Sequence, residues 1–227
     1  MIAYKFLRSG RIGPFSAFLW PEPGVWVHAP LDLAACRRGI HACRLGDLPW
    51  WLADELWEIE LDAPVQPDEH KIIAPAGRLR SRIEAWTPAC AQEYADACAW
   101  RARERAVQAL TRAGHRLEAH QLATCATLDE VLVAARQLAD DISDTRISLT
   151  MAGDGAFRAL TGAPPPSAYI AAHAAMRLDG AAGYAAERAW QSRWLVERLG
   201  LDGAADIPQR RELSADQRPN VRSEREQ

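Results

Sequence analysis

The stretch Leu56-Trp57-Glu58-Ile59-Glu60-Leu61 alternates between apolar and acidic residues around its tryptophan. Successive side chains of an extended chain point to opposite faces, so Trp57, Ile59 and Leu61 share one side and Glu58 and Glu60 the other. One buried and one polar face is the mark of an antiparallel sheet, not of a strand enclosed between helices. Shorter runs of the same kind lie on both sides: Ile2–Leu7, Val25–His28, His70–Ala74 and Leu79–Ile83. Ser9-Gly10, Gly13-Pro14, Pro21-Glu22-Pro23-Gly24, Pro67-Asp68 and Pro75-Ala76-Gly77 punctuate them as turns. Asp47-Leu48-Pro49 reads as the start of one short helix, with Asp47 as N-cap and proline in the first turn.

Near residue 87 the chain changes character. Six of the nine tryptophans and eight of the fourteen prolines come before that point, and alanine-rich helical sequence follows. Thr87-Pro88 opens a helix expected to run to about Ala113-Gly114. Thr127-Leu128-Asp129-Glu130 is a capping box ahead of a stripe through Leu128, Val131, Leu132, Ala135, Leu138 and Ile142. Ser167 is expected to cap a segment through Met176, and Gly183 to precede a last helix ending at Gly200. The expected fold class is α+β: a small, mostly antiparallel sheet with a short helix, followed by an all-helical region. The expected divisions are a Trp-rich domain over 1–86, an Ala-rich helical region over 87–202, and a polar, disordered tail over 203–227.

Composition excludes several classes. The 227 residues carry 27 basic and 30 acidic side chains, and neither half is a basic patch, so nucleic acid is not an expected partner. No run of 18 or more apolar residues suggests a membrane span. Five cysteines, an odd number, and a strand-like N-terminus point to the cytoplasm. The glycine fingerprints of P-loop and dinucleotide enzymes are absent, as are Gly-x-Ser-x-Gly and His-Glu-x-x-His.

The candidate site residues fall into three groups. Cys36, His41 and Cys43 are the densest set of potential ligands for zinc, with His28 or His70 as a fourth. The preferred reading is packing, with both cysteines as small buried hydrophobes and His41 as a hydrogen-bonded turn residue. His41 is also the candidate acid–base group, Lys5 an anion contact, and Glu58 and Glu60 a carboxylate pair about 6–7 Å apart along one strand face. Trp20, Trp26, Trp50 and Trp51 are either core filling or a platform for a ligand. Arg101, Arg103 and Arg105, and the Arg188–Arg198 region, read as solvated helix faces.

Tyr4-Lys5-Phe6, Cys36-Arg37-Arg38-Gly39-Ile40-His41-Ala42-Cys43, Leu56-Trp57-Glu58-Ile59-Glu60-Leu61 and Lys71 at the head of a strand together resemble a domain family of unknown function, frequent in phage and actinobacterial genomes. The resemblance covers about residues 1–86 and implies no chemistry. The order of an aromatic-basic strand, a glycine turn, a short helix and a Glu-bearing strand is similar to ADP-ribosyltransferases. That similarity implies NAD, held by a first-strand His or Arg and a late Glu. Lys5 stands at the first position here, and Glu58-x-Glu60 falls early in the chain.

Two functions follow as expectations. The first is a non-catalytic ligand-binding or protein-interaction module that needs no cofactor, with a possible homodimer through the helical region. The second is an enzyme acting on a nucleotide-like small molecule, with His41, Lys5 and a glutamate in one pocket. The enzyme requires those three side chains to converge, and the interaction protein requires an exposed apolar patch, expected on the helical half.

Overall fold

The alternating stretch is strand β4 (Glu55–Leu61), flanked antiparallel by β1 (Ile2–Leu7) and β7 (Ala76–Arg82), with β2 (Val27–His28) beyond β7. A second antiparallel sheet orders β3 (Ile40–Ala42), β6 (Lys71–Ala74) and β5 (Gln66–Asp68). The computed structural model describes residues 1–30 and 38–201; Cys36 and the chain from Asp202 on, with the tail expected there, lie outside the described residues. Reciprocal backbone hydrogen bonds between Tyr4 and Cys43, at 2.9 and 2.7 Å, join the two sheets through β1 and β3. The outermost strands are blunted: β2 has two residues and β5 contains Pro67, which offers no donor to a further strand.

The expected face of β4 is the buried one. Trp57, Ile59 and Leu61 join Ala3, Leu7, Leu79, Ile40, Ile72 and Ala74 in one apolar cluster, with Trp20 packed into it. The sheet curves enough to bring Ile40 of β3 against Gly77 of β7, where a Cβ would stand 2.9 Å from the isoleucine methyl. Only glycine leaves room for that approach.

The helical region comprises α1 (Pro88–Ala113), α2 (Arg116–Ala123), α3 (Leu128–Asp141), α4 (Arg146–Leu160) and α5 (Pro164–Leu199). Thr87 caps α1 by accepting from the Cys90 N–H, and Gly114 ends it in the left-handed region at φ 93°. Thr127 accepts from the Glu130 N–H, and Glu130 reaches back to the Ala126 N–H. Alanine and glycine do the packing. Ala95, Ala99, Ala102 and Ala106 of α1 are fully buried, as are Ala152 and Ala156 of α4, and a Cβ on Gly155 would lie 3.3 Å from the Ala102 methyl. No helix among the described residues is long and apolar enough to cross a membrane.

Several local expectations need correction. Asp47 is not an N-cap: the short helix is a 3-10 turn, Leu45–Trp50, beginning after Arg44, and the Asp47 carboxylate accepts from the Arg44 guanidinium instead. Ser167 lies inside α5, its hydroxyl donating to the Ala163 carbonyl. The helix starts at Pro164, where the missing N–H groups are not needed. The break falls at Gly180 rather than Gly183. Gly180 takes φ 66°, ψ −154°, open in practice only to glycine, and folds α5 into an antiparallel hairpin. Across it the Gln191 amide donates to the Ala168 carbonyl at 2.9 Å.

The largest apolar cluster is shared between the halves. Tyr4, Phe6, Leu48 and Leu56 pack with Cys90, Tyr94, Ala168, Ala171 and Leu195. The Trp86 indole donates to the Ala53 carbonyl at 2.8 Å, and the Ser192 hydroxyl to the Gly46 carbonyl at 2.8 Å.

Candidate functional site

Lys5 and His41 meet only through the backbone. The Lys5 ammonium donates to the His41 carbonyl at 2.5 Å and stands 5.2 Å from the centre of the Trp20 ring. It has no ion pair among the described residues, and burial pulls its pKa down to about 8. By register Lys5 pairs with Trp57 on the face that carries Ala3 and Leu7. His41 pairs with Ile73, so its ring lies on the opposite face from Ile40 and Ala42. Its Nε2 is buried without a hydrogen-bond partner. Burial lowers its pKa, helped by the nearby Lys5 and Lys71 charges and opposed by Asp68. Lys71 makes a 3.3 Å ion pair with Asp68, its ammonium 5.7 Å from the Trp51 ring.

The two glutamates do not join them. Glu58 stands opposite Tyr4 and pairs with Arg80 at 3.4 Å; Glu60 pairs with Arg78 at 2.9 Å. Each carboxylate thus has its charge met on the sheet surface. The Cys43 thiol donates to the Tyr4 carbonyl at 3.3 Å, and burial pushes its pKa well up, so it is neither a thiolate ligand nor a nucleophile in this setting. Among the described residues no group of three His, Cys, Asp or Glu side chains is placed to hold a metal ion.

The four tryptophans have separate surroundings. Trp20 is core, and Trp26 lies under the Arg78 guanidinium at 4.9 Å. Trp51 donates to the His70 carbonyl at 2.6 Å and receives the edge of Phe15. Trp50 makes two ring contacts: the His70 imidazole stacks on it at 3.7 Å, and the Arg188 guanidinium lies over it at 4.2 Å.

One surface feature was not singled out by the pattern of residues. Between β1 and Trp20 the chain forms a closed loop, with Arg8 and Ile12 exchanging backbone hydrogen bonds and Gly13 N–H donating to the Phe18 carbonyl at 2.8 Å. Two consecutive carboxylates at the head of β4 pin its base. Asp54 accepts from the Ser9 N–H and hydroxyl at 2.9 and 3.0 Å. Buried Glu55 accepts from the Gly10 and Arg11 N–H groups and from the Trp57 indole at 3.0, 3.2 and 2.9 Å. Burial opposes the Glu55 charge, but these donors and the Arg82 cation outweigh it and hold the carboxyl below its ordinary range. Arg11 and Ala17 take φ 63° and 54°, left-handed positions that cost a non-glycine residue about 1–2 kcal/mol each. The strain is held in a loop that presents Phe15 at 84%, Leu19 at 63% and Phe18 at 44% exposure.

Arg101 and Arg105, expected in solvent, instead face α5. Arg101 grips fully buried Glu187 with two bonds of 2.6 and 2.7 Å, and Arg105 approaches the same carboxylate at 3.7 Å. Arg188, also expected in solvent, is buried at the junction of the halves. The i, i+4 spacing on α1 was a signal for Arg101 and Arg105; nothing in the sequence marked Arg188. Comparison of the chain with protein-family models, curated proteins and solved structures found no match.

Proposed function

We propose that this protein is a non-catalytic interaction module whose primary contact surface is the loop between β1 and Trp20. The supporting observation is the combination of exposure and rigidity: Phe15, Phe18 and Leu19 stand in solvent on a backbone closed by its own hydrogen bonds and by Asp54 and Glu55. A flexible loop loses entropy on binding, whereas one already held in shape brings its apolar side chains to a partner at lower cost. Of the nearby charges Arg11 pairs with Glu22 and Arg44 with Asp47, while the Arg8 guanidinium bonds the Gly13 carbonyl of the loop. An apolar tip beside such a base suits a protein cleft lined by apolar groups. The large exposed apolar residues of the helical region, such as Leu117, Val133, Ile147 and Met176, are distributed over four helices. The enzyme reading lacks the convergence it needs, because Lys5 and His41 sit on opposite sheet faces and both glutamates are neutralised by arginines.

A photo-reactive phenylalanine analogue placed at position 15 or 19, irradiated in the cells that make the protein, is expected to give a discrete protein adduct. The same analogue at Leu117, equally exposed, is expected to give none. Identical labelling from all three positions would remove the loop from consideration. Thermal stabilisation by NAD or ADP-ribose that disappears in His41→Ala would favour the enzyme instead.

A further inference from the structure

At the junction of the two halves five rings touch in sequence. Tyr169 stacks on His173 at 3.9 Å, His173 meets Tyr184 edge-on at 5.3 Å, Tyr184 lies 6.0 Å from Trp50, and Trp50 stacks on His70. The hairpin at Gly180 makes this continuous, since a straight helix would hold residues 173 and 184 about 16 Å apart along its axis. Tyr169 is exposed and the other four rings are half-buried, so the strip forms a surface running from α5 onto the sheet unit.

Arg188 underlies that strip and lacks a counter-charge. It is 8% exposed, and its guanidinium meets only neutral acceptors: the Gln191 side chain at 3.0 Å, and the Pro49 carbonyl and Tyr184 hydroxyl at 3.5 Å. Its Nε is buried without a partner, and it forms no ion pair among the described residues. The nearby carboxylates are engaged elsewhere: Glu187 with Arg101 and Arg105, Asp47 with Arg44, and Glu69, at the far end of the strip, with the His70 ring at 3.5 Å. A desolvated cation without an anion is costly to keep, and a bound carboxylate would relieve that cost.

We propose that the ring strip with Arg188 at its base is a docking site for an acidic segment of a partner protein. A glutamate or aspartate of that segment reaches the Arg188 edge beside the Tyr184 hydroxyl, and its apolar neighbours lie along Tyr169, His173 and Trp50. Charge complementarity selects the acidic group. The length of the strip selects a peptide over a small free anion, which would leave most of the rings uncovered. Tyrosine, tryptophan and arginine are also the residues that dominate the centres of protein interfaces. The loop carrying Phe15 adjoins the His70 end of the strip through Trp51, but the proposal rests on Arg188 and the rings of α5, which that loop does not supply.

The test is an NMR titration of the full chain, following the Trp50 indole N–H and the His173 ring protons, with the acetylated peptide Glu-Leu-Glu-Glu-Phe-Glu. A saturable shift at both is expected, weakened by at least about tenfold in Arg188→Met, as for loss of one partner of a charged contact. Tyr169→Ser, at an exposed position that leaves the fold intact, is expected to weaken binding by about threefold or more. Leu117→Asp, at an exposed position on α2, is expected to leave the titration unchanged. An equal response to the peptide with lysine in place of glutamate would overturn the proposal, as would unaltered binding in both strip variants. Inorganic phosphate producing the same shifts at Trp50 and His173 would overturn the peptide as occupant.

Discussion

The sheet unit and the helical region are held together by opposite means. In the sheet unit, large side chains such as Leu7, Ile59, Leu61 and Trp20 fill the curve of the strands. Glu58 with Arg80 and Glu60 with Arg78 pair on its surface, and the buried charges Glu55, Lys71 and Asp47 each pair with a more exposed partner at the edge of the core. In the helical region alanine and glycine bring α1, α4 and α5 close together, and an ion network around Glu187 is buried among them. Small side chains bury little apolar area each, so close backbone approach and buried polar contacts carry more of the specificity there. The two surfaces proposed above differ accordingly: one is a loop of the sheet unit that projects Phe15, Phe18 and Leu19, and the other a strip of rings that runs from α5 onto Trp50 and His70.

The largest effect is expected from Glu187→Ala, which leaves the partly buried Arg101 and Arg105 without the anion they share. A loss of about 3–5 kcal/mol in denaturant unfolding is anticipated, and a loss below about 1 would show that the network is dispensable to the helical packing. The contrast in core style predicts opposite sensitivities. Leu7→Ala is expected to cost about 2–5 kcal/mol by opening a cavity. Ala99→Leu, an enlargement, is expected to cost about 1–3 by forcing α1 from its neighbours. A tolerated Ala99→Leu would break the comparison.

Lys5 gives a smaller effect of the opposite sign. Its folded pKa, about 8, lies below the 10.5 of the unfolded chain. The unfolded state therefore binds more protons between those values, and this residue's contribution to stability rises as pH goes from about 8 to 10.5. Lys5→Met is expected to stabilise the protein by about 1 kcal/mol at pH 7 and to flatten that alkaline rise in thermal melts. A melt that falls equally with pH in both proteins would contradict the desolvated lysine.

The smallest effect concerns the loop. Asp54→Ala removes two hydrogen bonds at an exposed site and is expected to cost about 0.5 kcal/mol globally, the low end for such bonds. Hydrogen exchange should nevertheless accelerate selectively at Gly13 and Ala17, whose amides close the loop. Uniform exchange across β1 and the loop would mean that the carboxylates do not hold its shape.

Legibility in the sequence followed the range of the interactions. The period-two pattern placed β4 and the buried side of Trp57, and Thr87-Pro88 and the Thr127–Glu130 box placed two helix starts, because neighbours in the chain make those contacts. Strands β3 and β5, of three residues each, carried too little pattern to be read. Lys5 and His41 were legible as unusual residues, but their relation was not, since a carbonyl 36 positions away decides it.

By itself the sequence determined the α+β class, the change of architecture near residue 87 and the Thr87 and Thr127 caps, all of which rest on local periodicity and on side chains bonding nearby backbone. The tertiary structure alone decided that Glu58 and Glu60 are neutralised by β7, that Arg101 and Arg105 serve a buried glutamate, and that Arg188 lies beneath Trp50 without an anion. Those outcomes depend on strand register and on the glycine that folds α5 back upon itself. A charge has no fixed meaning until the packing around it sets its solvent and its partner.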